Sequence, residues 1–109
     1  MDRQIDLRGA SGDVYRYRCA EGGDTRTPTG GNFVYVTIAG DDVTVLYAGA
    51  SPSLTSGAQE RWNEAMSRHG ATHLFFRLNV AGAARDRELA DIVAGCSPVM
   101  NEAAVAERR

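Results

Sequence analysis

At 109 residues and 11.7 kDa the chain is the length of one domain, able to bury roughly 65% of the surface its unfolded form exposes, so it needs neither disulfide nor metal as a staple. Its 43% hydrophobic and 24% charged content is that of an ordinary soluble protein, and no apolar run approaches the roughly 20 residues of a membrane span. The charged start Met1-Asp2-Arg3-Gln4-Ile5-Asp6 does not read as a signal peptide, which leaves a cytoplasmic location as the expectation. The net charge of −2 argues mildly against a polyanionic partner, yet all 12 basic residues are Arg, the side chain that grips phosphate bidentately. A chain-wide composition bias explains that preference before a binding patch does. Cys19 and Cys96 fit no metal-ligand spacing and read as free thiols.

Residues 3 to 19 predict a hairpin. Ile5 and Leu7 alternate with polar neighbours, Gly9-Ala10-Ser11-Gly12 turns the chain, and Tyr15, Tyr17 and Cys19 alternate with Arg16 and Arg18. One face is expected to be buried and the other to carry arginines. The Gly- and Thr-rich stretch from Ala20 to Asn32 reads as a loop. A second hairpin follows from about Asn32 to Ala48, with Phe33-Val34-Tyr35-Val36 and Val45-Leu46-Tyr47-Ala48-Gly49 as its arms. A three-residue loop, Gly40-Asp41-Asp42, sets Tyr35 opposite Tyr47 with both phenols on one face.

Gly49-Ala50-Ser51-Pro52-Ser53 then breaks the strand pattern and opens a helix. Its apolar stripe, Leu54, Ala58, Trp62, Ala65 and Met66, runs at three- and four-residue steps to a glycine stop at His69-Gly70. Thr72 to Leu78 predicts a third core strand, and a second helix from about Ala83 to Ala94 carries Leu89, Ile92 and Val93 in register, with Gly95 near its end. The expected organisation is a single domain: an N-terminal hairpin and loop at 1–31, a core at 32–101 and a tail at 102–109. Its class is α+β, a small antiparallel or mixed sheet flanked by two to three helices.

Three groups stand in order from Phe33 to Asn101: Phe33-Val34-Tyr35; Tyr47-Ala48-Gly49 followed by Ala50-Ser51 and Leu54; and Glu88, Ile92, Pro98 and Asn101. From Phe33 to Asn101 the chain resembles the GIY-YIG nuclease family. The resemblance implies a divalent-metal-dependent endonuclease that hydrolyses a DNA phosphodiester with a single Mg²⁺ or Mn²⁺. It implies Glu88 as the metal ligand, Tyr47 as the general base or its close partner, and Tyr35 as support for the nucleophilic water. Gly49, Ser51, Arg77 and Asn101 fall to substrate contact or to shaping the site. The chemistry asks for such groups, because hydrolysis needs an activated water, a cation against the developing charge and a hold on the leaving oxygen. A phenol free in water titrates near pH ~10, so a tyrosine base needs a cation beside it.

The chain departs from the family pattern where it matters for that cation. The family arginine lies ten residues after the second tyrosine, and here that position is Gly57; Arg61, one turn later, is the candidate in its place. Ala50 stands where relatives often carry Lys, and Ala65 where some carry His. Each site residue also has an ordinary role open to it: sheet packing for the tyrosines, a surface pair with Arg85 for Glu88, a pair with Glu60 or Glu64 for Arg61, and fixing of the turn for Asn101. Arg16, Arg18 and Arg77 are candidates to line a DNA groove. The alternative function is therefore the same fold without the chemistry, binding DNA or a partner protein. With no second domain for sequence readout, DNA binding is expected to be weak and of low specificity, leaving specificity to a partner or an oligomer.

Overall fold

Period-two alternation carries the chain through five strands: β1 (Gln4–Arg8), β2 (Val14–Ala20), β3 (Gly31–Ala39), β4 (Asp42–Ser51) and β5 (His73–Leu78). The structure, a computed structural model, describes residues 3–20 and 27–102, so part of the expected loop and nearly all of the expected tail lie outside the described residues. The strands form one antiparallel sheet in the order β1-β2-β5-β3-β4, with β3 bonded to β4 on one side and β5 on the other.

The two faces of the sheet bury different sets. Phe33, Tyr35, Leu74 and Phe76 point to one face and are covered by Leu54 and Ala58 of α1 (Leu54–Gly57) and its C-cap, and by Ala65 of α2 (Trp62–His69). Val34, Val36, Phe75 and Tyr17 point to the other, under Ile92 and the half-buried Leu89, Val93 and Cys96 of α3 (Gly82–Cys96). The architecture is thus α+β, an antiparallel five-stranded sheet between helices. No helix among the described residues is long and apolar enough to cross a membrane.

Two local expectations are corrected. The central hairpin has a two-residue loop, Gly40-Asp41, because Ala39 pairs with Asp42 and Gly40 takes a positive φ of 63°. Tyr35 still faces Tyr47, since a bulge at Leu46 shifts the register by one residue after Val36 pairs with Val45. Gly95 is not a cap. A Cβ there would come within 2.9 Å of the Arg8 carbonyl, so glycine lets α3 lie against the β1–β2 turn, while the left-handed position closing the helix is Ser97.

The second correction concerns the helix expected from Leu54 to His69, which is split into α1 and α2. At the break the buried Tyr35 hydroxyl donates to the Ala58 carbonyl at 2.7 Å and accepts the Arg61 N–H at 3.2 Å. In an unbroken helix the Ala58 carbonyl would take the N–H of Trp62, which instead bonds Gln59. A phenol from the sheet has entered the helical ladder.

Candidate functional site

Tyr35 and Tyr47 lie side by side, ring centres 5.3 Å apart, where the register and the bulge bring them together. Trp62 at the start of α2 meets Tyr35 edge-on at 5.3 Å, an aromatic contact that the helical stripe alone did not reveal. The Arg61 guanidinium sits 5.0 Å over the Tyr47 ring and forks onto Glu64, with bonds of 3.2 and 2.8 Å. The late arginine therefore does reach the tyrosine pair, and its carboxylate partner is one of the two neighbours expected for it. Tyr35 is fully buried with both functions of its hydroxyl used. Burial raises its pKa well above the ordinary phenol value, against the opposing pull of the Arg61 N–H, so it remains a neutral hydrogen-bonding group.

Glu88 is elsewhere. Its side chain accepts from the Tyr17 hydroxyl at 2.6 Å, from Arg77 Nε at 2.9 Å and from Asn79 Nδ2 at 3.4 Å. Tyr17 belongs to the core under α3, on the face opposite the tyrosine pair, so the sheet stands between Glu88 and Tyr35. The reason is the helix register: Glu88 shares the inward stripe with Ile92, one turn on, and that stripe packs on the Val34 face. Arg85, the partner expected for Glu88, instead donates to the carbonyls of Asn79 and Val80 at 3.1 and 2.6 Å. The network extends to Asn32, also fully buried, which accepts from Asn79 and donates to the Arg85 carbonyl.

Tyr17, Asn79 and Asn32 are the members of this network that sequence reasoning missed. The signal for Tyr17 was present in the alternation of β2, which puts it on the buried side; for the two asparagines nothing local distinguishes a core amide from a loop amide. A second polar group lies along the same helix. Asp91 accepts from the Ser11 hydroxyl at 2.6 Å and the Tyr15 hydroxyl at 2.7 Å, and its pKa is lowered by those bonds, Ser11 foremost. In return the Asp91 bond and burial push Tyr15 up to about 12.

The remaining candidates shape the fold. The Ser51 hydroxyl accepts the Ser53 N–H and donates to the Ser53 carbonyl, and it occupies the space over Gly57. A Cβ at Gly57 would collide with Ser51, so the position at which the family places its arginine admits no side chain here. Gly49 is held to glycine by the Phe33 ring stacked on it. Asn101 grips the edge of the sheet, its amide donating to the Ala48 carbonyl at 2.9 Å and accepting the Ala48 N–H at 2.8 Å, as a neighbouring strand would.

A divalent cation does not fit Glu88 as it stands. The residue is 4% exposed, both carboxylate oxygens are taken, and its charged partner is the Arg77 guanidinium. Among the described residues no group of three or more His, Cys, Asp or Glu side chains is placed to hold a metal. Compared with family models, with curated proteins and with solved structures, the chain finds no match.

Proposed function

We propose that this chain is a GIY-YIG-like domain that binds nucleic acid without cutting it. The resemblance supports the fold: a hairpin with facing tyrosines, a helix after it, a strand, and a helix that carries Glu88 and leads to Pro98 and Asn101. The observation that carries the second half is the enclosure of Glu88 by Tyr17, Arg77 and Asn79, on the opposite face from Tyr35. A carboxylate so engaged does not share a reacting centre with the tyrosines. A metal-dependent endonuclease is the second reading, favoured by the Arg61 guanidinium over the Tyr47 ring.

Incubation with supercoiled plasmid in Mg²⁺ or Mn²⁺ decides between the two. Retarded but intact plasmid at low salt is the expected result. Nicking by the wild type that disappears in Glu88→Gln would establish the endonuclease instead.

A further inference from the structure

Among the described residues, α1 and α2 pack on β3 and β4 and leave the outer part of their face of the sheet bare. The register sets Gln4 beside Arg18, Asp6 beside Arg16 and Arg8 beside Val14, with Arg18 next to Phe76 on β5. These side chains share the side of Ala20 and Phe76 and are exposed, apart from Phe76 itself. Val14 and Leu78, at 54% and 50% exposure, lie on the same side as apolar patches between the charges.

Among the described residues the face carries three arginines against one aspartate, in a chain whose net charge is −2. Arg18 sits over the Phe76 ring at 5.4 Å, and among the described residues neither Arg8 nor Arg18 pairs with a carboxylate. Arg16 forks onto Asp6 at 2.9 and 3.2 Å, but both side chains are largely in water, so an incoming phosphate meets little resistance from that pair. An extended positive strip on a sheet suits a chain of evenly spaced anions.

We propose that Arg8, Arg16 and Arg18 on this bare half-sheet form a docking surface for the phosphate backbone of a nucleic acid, an inference that rests on the nucleic-acid reading above. Phosphates would take the guanidinium forks, with Asp6 acting as an internal competitor for Arg16. The surface is separate from the tyrosine pair, of which Tyr35 is buried under α1 and α2 and Tyr47 is half-buried.

The test is fluorescence anisotropy of the full chain with labelled duplex and single-stranded DNA across a NaCl series. The Arg8→Gln/Arg16→Gln/Arg18→Gln variant should bind at least ~10-fold more weakly at low salt. Its slope of log K against log salt should be smaller by about 2 to 3, since each phosphate no longer neutralised removes about 0.7–0.9. Asp6→Asn should bind more tightly than wild type. A triple variant that melts like wild type and binds with unchanged affinity and slope overturns the surface while leaving the nucleic-acid reading intact. Should the triple variant not fold, an unchanged affinity for Asp6→Asn overturns it equally. Wild type that binds neither DNA at low salt removes the nucleic-acid reading and this surface with it.

Discussion

The two faces of the sheet use buried polar groups differently. Under α1 and α2 a neutral hydroxyl, that of Tyr35, is satisfied by two backbone groups and in doing so breaks a helix in two. Under α3 a carboxylate, Glu88, collects three side-chain donors and ties β2, β5 and α3 together. The contrast follows from desolvation: a neutral phenol is balanced by one or two hydrogen bonds, whereas a buried charge needs an opposite charge and further donors. It also shows how residues of catalytic type become parts of a framework. Tyr35 and Glu88 are expected in a nuclease site by resemblance alone, yet each has its polar atoms committed to holding the fold.

The sharpest way to break this contrast is Glu88→Ala, which leaves Tyr17, Arg77 and Asn79 without their shared acceptor. Urea unfolding should show a loss of about 2–4 kcal/mol, the upper range being reduced because Arg77 is partly solvated. A loss within measurement error would mean that α3 is held by its apolar stripe alone. Tyr35→Phe removes one hydroxyl and both of its backbone bonds, for an expected loss of about 1–2 kcal/mol in the same measurement. If Tyr35→Phe equalled or exceeded Glu88→Ala, the neutral and charged faces would not differ as described.

Asn101→Ala probes the sheet edge instead of either face. It should cost about 1 kcal/mol and raise hydrogen exchange at the Ala48 amide, with little change at β1 and β2. The smallest effect expected is a pH dependence. Asp91 has a lowered folded-state pKa, so its contribution to stability is present above the unfolded value of about 3.9 and is lost as pH falls through the folded one. Thermal melts of wild type and Asp91→Asn should therefore differ at neutral pH and converge in strong acid; a constant difference would show that the Ser11 and Tyr15 bonds do not depend on the ionised form.

Much of this fold could be read from alternation and spacing. Both hairpins, the strand at 72–78 and α3 follow from apolar period and turn residues, which act locally. The facing of Tyr35 and Tyr47 was legible too, though by a different route, since a shorter loop and a bulge compensate one another. What was not legible depended on distant contacts. The stripe from Leu54 to Met66 is a sound helix pattern, and only a hydroxyl arriving from β3 interrupts it. Glu88 sits on the inward stripe with Ile92 and not in a surface pair with Arg85, and which face of the sheet that stripe covers is a property of the crossover from β5, not of the helix sequence. Gly57 read as a missing arginine; the structure adds that Ser51 fills the space a side chain would need.

The central claim is that Glu88 and the tyrosine pair form no common metal site. A Mn²⁺ titration followed by paramagnetic broadening in the amide NMR spectrum tests it most directly. No selective broadening is expected around Glu88, and none that links it to Tyr47. Selective broadening centred on Glu88 that extends to Tyr47 and Arg61, and disappears in Glu88→Gln, would contradict the claim.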